Sequence, residues 1–223
     1  MPDRVRVGLT GTSAWADRIH LPGLCSHPQA DLAALCGRNA DRAGEMAAKY
    51  GIPRIYADYR EMIEKERLDA LVVSTPDDMH YPIVMDALDA GLHVLCEKPL
   101  ALNVEQAKTM YERAEAAGVR HMTFFTFRWM PHFRYVRDLT RDGYVGRCYH
   151  AHFDFLDDYG RDTAYGWRFD ARRANGIVAD LGSHMVDMAR WYLGDIVRVS
   201  GHLATHVERE GVDGRTLSPA NDA

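Results

Sequence analysis

The sequence predicts an α/β protein: a doubly wound parallel sheet covered by helices on both faces, followed by a second domain of α+β character. Three observations carry this prediction. Apolar strand-like runs alternate with helical ones through the first half of the chain. A glycine turn closes the first strand and opens a helix. Past about residue 124 the alternation stops, and longer runs with partial two-residue periodicity take over.

Element by element, "RVRVGLT" is a short apolar strand and residues 14–27 form a helix interrupted at Pro22. "ADLAALC" is the second strand and "NADRAGEMAAKYG" the helix after it. A short strand at Ile55 leads into helical "DYREMIEKER". "LDALVVST" is a buried strand. "MHYPIVMDALDAG" is a helix closed by Gly91, and "HVLCEKP" is a strand ended by proline. Helical "NVEQAKTMYERAEAAG" stops at Gly118, and "VRHMTFFTF" returns to strand. The boundary falls near Thr123–Arg128, giving domains 1–123 and 124–223. In the second, "RCYHAHFDFLDDYG" and "IVRVSGHLATHVE" read as strands and "VADLGSHMVDMARWYLG" as a helix. Two strands make a sheet too small to stand alone, so the chain is expected to be a truncated piece of a longer protein.

Composition narrows the function. Of 223 residues, 47% are hydrophobic and 26% charged, which is ordinary for a globular chain. A net charge of -5 gives no electrostatic case for nucleic acid or an anionic membrane. No apolar run approaches the roughly 20 residues of a membrane span. No apolar signal segment precedes the first strand, so the expected location is cytoplasmic. The cysteines, Cys25, Cys36, Cys96 and Cys148, lack paired spacing and read as buried free thiols. The histidines form no zinc-type pair, so no metal site is expected.

Two segments carry chemistry. In "GTSAWA", Gly11, Ser13 and Ala16 stand at the three positions of G-x-G-x-x-G/A. The first glycine permits the tight turn, the second position brings backbone close to a pyrophosphate, and the third packs helix on strand. Ser13 is small and adds a hydroxyl donor. After the second strand, "GRN" has no carboxylate for ribose hydroxyls, and Arg38 is placed to pair with a 2′-phosphate, so NADP is preferred to NAD. In "CEKPLA", Glu97 and Lys98 lie at a strand's carboxyl end, where open α/β sheets bind ligands. In "VADLGSHMVDMARW", Asp180, His184 and Asp187 recur at i, i+4 and i+7 on one helical face, with His184 suited to moving a proton near neutral pH.

These segments, together with "STPDDMHYPIVMDALDAGLHVLCEKPLA" and "WRFDARRANGIVADLGSHMVDMARWYLGD", make the chain resemble the glucose–fructose oxidoreductase / myo-inositol dehydrogenase (Gfo/Idh/MocA) family from about Val5 to Val199. The resemblance implies an N-terminal Rossmann domain and a second domain with an open, largely antiparallel sheet that forms homo-oligomer contacts. It implies that Gly11, Thr12, Ser13 and Ala14 hold the pyrophosphate and that Thr75, Pro76 and His80 lie beside the nicotinamide ribose. It further implies that Glu97 and Lys98 belong to the cofactor site, with Lys98 at the substrate hydroxyl, His184 as acid/base and Asp180 orienting substrate or histidine.

The expected activity is hydride transfer between NADP or NAD and a secondary alcohol of a sugar, cyclitol or related polyol. The alternatives are a nicotinamide-assisted elimination or glycoside cleavage without net redox, and a non-catalytic cofactor-binding regulator. Trp129, Tyr135, Tyr159, Tyr165 and Trp167 are candidates for stacking on sugar faces, though core packing explains any one of them, and Arg128 and Arg168 for an anionic substituent. Two departures from the family pattern are Ser13 for the usual glycine and "ANG" at 174–176 for a glycine run. The third is length, since members are usually longer.

Overall fold

The structure, a computed structural model, describes residues 4–158, 160–209, 211, 217 and 219–222. The chain divides into two compact units, residues 1–124 and 125–223.

The first unit is one six-stranded sheet. Its strands are β1 (Val5–Thr10), β2 (Ala30–Cys36), β3 (Arg54–Tyr56), β4 (Ala70–Val73), β5 (His93–Glu97) and β6 (His121–Phe124). They are all parallel, in the order β3-β2-β1-β4-β5-β6. The connecting helices are α1 (Leu21–Ser26), α2 (Ala40–Tyr50), α3 (Tyr59–Lys65), α4 (His80–Asp89) and α5 (Val104–Ala117). Each predicted strand and helix of this half is present, trimmed by a few residues at its ends.

The sheet is apolar on both faces because alternate residues of its central strands enter different cores. Leu71, Val73, Val94 and Cys96 pack with α3, α4 and α5 through Met62, Ile83, Leu88 and Met110. Val7, Leu9, Leu35 and Val72 pack against Leu21 of α1 and Met46 of α2. Leu9, Leu35 and Leu71 are fully buried, so truncating any one to alanine costs about 2–5 kcal/mol. Local chemistry sets the helix ends. Asn39, Asp58 and Asn103 cap α2, α3 and α5 by accepting from Arg42, Arg60 and Gln106 backbone N–H groups. Gly51 and Gly118 close α2 and α5 in the left-handed conformation.

The first helix was expected to be interrupted at Pro22, but its irregularity lies before that residue. It runs from residue 14 to residue 26, and its middle, Ala16–His20, is a π-helical turn in which Leu21 N–H donates to Ala16 O. Pro22 follows directly after the π-turn, as the second residue of the α-helical part.

The second unit contains α6 (Pro131–Arg141), a 3₁₀ turn at Trp167–Phe169, a π-turn at Val178–Gly182, and α7 (Ser183–Leu193). The Tyr192 hydroxyl of α7 donates to Phe133 O of α6. The two strands expected here do not form a ladder. Among the described residues the single bridge in this unit joins Asp170 to Pro219, and the open antiparallel sheet is not seen. The physical reason is the lack of neighbours. Tyr149, Leu156 and Val197 are 83%, 91% and 99% exposed, so these segments are poorly covered, and a two-stranded ribbon without a third strand or a covering helix is at best marginal. Tyr159 lies outside the described residues, as does much of the tail after residue 209. No helix among the described residues is long and apolar enough to cross a membrane.

Candidate active site

The strand order reverses between β1 and β4, so the carboxyl ends of these two strands open a crevice. The glycine turn stands there. Gly11 has φ +107°, and a Cβ on it would lie 2.1 Å from Ser74 O, at the end of β4. Only glycine allows this approach. Gly11 N–H donates to Cys36 O, tying the turn to β2. Thr12 packs against Gly37, where an added Cβ would meet its methyl at 2.4 Å. Ser13 Oγ accepts from Ala16 N–H at 3.1 Å, which leaves its own proton to donate, and it lies 3.5 Å from Ser74 Oγ. Ala14 opens the helix and Ala16 is fully buried against the sheet.

After β2, Arg38 is exposed and has no ion pair among the described residues. The neighbouring cations are committed: Arg42 and Lys49 both bind Asp17, each at 2.8 Å. Hydrogen bonds from Lys49 and Tyr50, opposed by burial, hold the Asp17 carboxyl down at about 2. Asn39 is spent as a helix cap and Asp41 faces solvent.

At the end of β4, the Thr75 hydroxyl is buried with no hydrogen-bond partner among the described residues. Pro76 begins the turn that leads to α4. His80 is fully buried. Its Nδ1 lies 2.8 Å from Pro99 O and its Nε2 3.0 Å from Thr75 O, so it links the loop after β4 to the loop after β5. Burial pushes the imidazole pKa below its usual value, against the opposing pull of the two carbonyls. Lys98 is half-buried at the carboxyl end of β5, and its peptide bond to Pro99 is cis.

Glu97 is buried, and the residues that hold it were not among those expected at the site. Its Oε1 accepts from Trp15 Nε1 at 2.8 Å and from His20 Nε2 at 2.7 Å, and its Oε2 accepts from Lys98 N–H at 3.2 Å. Trp15 and His20 were missed because a π-turn cannot be read from apolar periodicity. The available signal was chemical: a carboxylate ending a buried strand needs donors.

In the second unit, Asp180 and Asp187 each pair with an arginine, and His184 packs against two phenylalanine rings. Asp180 lies in the π-turn and pairs with Arg168 at 2.8 Å. Asp187 receives both Nε and Nη2 of Arg128, at 2.8 and 2.7 Å. The two arginines considered for an anionic substituent are thus each placed on a carboxylate. His184 is buried, stacked on Phe127 at 4.2 Å and edge-on to Phe125 at 5.9 Å. Trp167 packs under Arg168, and Trp129 lies near Arg134. Tyr135 is 65% exposed and Tyr165 37%. Among the described residues no group of three or more His, Cys, Asp or Glu is arranged to hold a metal ion.

A glycine turn at the switch point of a parallel 3-2-1-4-5-6 sheet defines a dinucleotide-binding α/β protein. The residues present fit such a ligand: the turn supplies backbone N–H groups and the Ser13 proton, and Thr75 Oγ1 is a buried polar atom without a partner among the described residues. The chain belongs to the Gfo/Idh/MocA family. Residues 5–125 match its model described as "Oxidoreductase family, NAD-binding Rossmann fold", and residues 133–217 match the GFO/IDH/MocA C-terminal domain.

Among characterised relatives, the chain is similar to levoglucosan dehydrogenase of Pseudarthrobacter phenanthrenivorans, at 30% identity over 172 residues, covering 76% of this chain and 44% of that protein. It is also similar to D-apiose dehydrogenase of Paraburkholderia graminis, at 33% identity over 183 residues, covering 82% of this chain and 48% of that protein. A solved oxidoreductase domain protein from Kribbella flavida superposes with a TM-score of 0.84 at 35% identity, covering 92% of this chain and 58% of that one. The chain therefore spans about half the length of the curated relatives it matches.

Proposed function

We propose that this chain is part of an NAD(P)-dependent dehydrogenase that oxidises a secondary alcohol of a sugar, cyclitol or related polyol. The observation that supports this most is the glycine turn closing on Ser74 at the β1/β4 crevice, with Glu97-Lys98-Pro99 ending the next strand of the same sheet. Dehydrogenases of levoglucosan and D-apiose among the relatives support the substrate class.

When bound, a nicotinamide dinucleotide supplies the hydride acceptor. Gly11, Thr12, Ser13 and Ala14 bind its pyrophosphate through the turn's N–H groups and the Ser13 hydroxyl. Thr75 and Pro76 border the nicotinamide ribose, and His80 fixes their loop. The exposed, unengaged Arg38 favours the 2′-phosphate of NADP over NAD. Lys98 stabilises the alkoxide as the hydroxyl proton leaves, and His184 accepts that proton at an imidazole nitrogen. Asp180, paired with Arg168, orients a substrate hydroxyl or the histidine. In the whole protein this reading includes a soluble cytoplasmic enzyme that forms homo-oligomers through its second domain.

A spectrophotometric screen of sugars and polyols with NADP and NAD tests the reading. Lys98→Ala and His184→Ala are expected to keep cofactor affinity and lose about 10²–10⁴-fold in kcat. Near-wild-type turnover in both rejects these roles. Substrate consumed without a change in nicotinamide absorbance replaces net oxidation with a nicotinamide-assisted elimination or cleavage.

A further inference from the structure

Glu97 presents a problem that the proposed chemistry leaves open. It is a carboxylate only 6% exposed at the end of an internal strand, and a buried charge persists only when donors satisfy it. Two of its donors come from one helix, Trp15 and His20, five residues apart. On a regular α-helix, five residues advance about 140° beyond a full turn, which sends their side chains to different sides. Between these two residues the helix is a π-turn, whose i to i+5 bonding brings residues five apart nearly over one another. That irregularity brings both N–H groups to the same oxygen, Glu97 Oε1. The other oxygen accepts the backbone N–H of Lys98. His20 is itself buried, 5.1 Å from the Phe124 ring, while Trp15 remains 37% exposed beside the glycine turn.

We infer that His20 and Trp15 are positioning residues: through Glu97 they lock the helix that follows the glycine turn to the end of β5, setting the pyrophosphate turn and the Lys98 peptide as one rigid unit. This rests on the cofactor reading above but adds residues and a device to it. Without His20, Glu97 is a buried carboxylate short of a donor, and the simplest relief is to swing out and release both Trp15 and the Lys98 peptide.

The test uses the whole 223-residue chain. The first readout is the Trp15 indole N–H resonance without cofactor, assigned by its disappearance in Trp15→Phe. The second is NADP affinity by calorimetry. His20→Leu removes the donor, and His20→Gln keeps an N–H at similar reach. In His20→Leu the Trp15 resonance is expected to move upfield and NADP binding to weaken roughly ten- to hundred-fold, as for loss of a hydrogen bond to a charged group. In His20→Gln both return towards wild type, with affinity within about three-fold. Trp15→Phe, which keeps an aromatic ring but loses the indole N–H and part of the ring's packing surface, is expected to weaken binding as well, and it carries the test if His20→Leu does not fold.

Unchanged NADP affinity in folded His20→Leu, or in Trp15→Phe should His20→Leu not fold, overturns the inference alone. So does a His20→Gln variant no better than His20→Leu. A wild-type chain that binds neither NADP nor NAD overturns the cofactor reading and this inference together.

Discussion

His80 has no solvent exposure and two carbonyl oxygens at its ring nitrogens. A neutral imidazole donates to one of them, and burial keeps the neutral form favoured by lowering the pKa below its ordinary value of about 6.5. The sign of the consequence follows from proton counting. Between the lowered folded pKa and the unfolded one, the unfolded chain binds more protons at this position, so stability rises with pH. The contribution is complete above about pH 6.5 and is lost as pH falls below it. His80→Asn, which keeps a donor near the Nδ1 position, is expected to lose less of its denaturant midpoint between pH 7.5 and 5.5 than wild type does. Equal losses in the two proteins would contradict the assignment. Cysteine burial was only half legible at this scale. Cys36 and Cys96 are buried thiols as expected, with burial raising Cys36 to about 11, whereas Cys25 and Cys148 are exposed.

Among the elements, the parallel half was readable because each signal was local. Apolar runs gave the strands, and Asn39, Asp58, Asn103, Gly51 and Gly118 marked helix ends through their own backbone chemistry. Asn103 illustrates the energetics. Its side chain accepts Gln106 N–H at the head of the 14-residue α5, so Asn103→Ala is expected to lower unfolding free energy by about 1 kcal/mol in urea titrations, and Asn103→Asp by much less. A neutral alanine variant would show that α5 does not depend on its cap.

The π-turns at Ala16–His20 and Val178–Gly182 were not legible, since one inserted residue leaves apolar periodicity nearly unchanged while rotating the side chains that follow. The second unit's strands were misread for a different reason. Alternation shows that a segment can lie half-buried on a sheet, but the partner that buries it is not a property of the segment. The chain therefore leaves Val197 and Leu156 exposed where the pattern predicted a covered face.

At the scale of the molecule, the legible part of the site was what sits on the sheet. Gly11 and Lys98 were placed by strand order alone, because every parallel strand delivers its carboxyl end to the same edge. Electrostatic partners were not legible: Arg168 and Arg128 were considered for substrate and stand on Asp180 and Asp187. The central claim is that the crevice between β1 and β4 binds a nicotinamide dinucleotide with Arg38 selecting the phosphorylated form. The most direct measurement is calorimetric titration of NADP and NAD into the wild-type chain and into Arg38→Ala. Saturable one-site binding is predicted for both, tighter for NADP in the wild type, with the preference lost in the variant. A wild-type chain that binds neither dinucleotide, or that binds NAD more tightly than NADP, would contradict the account.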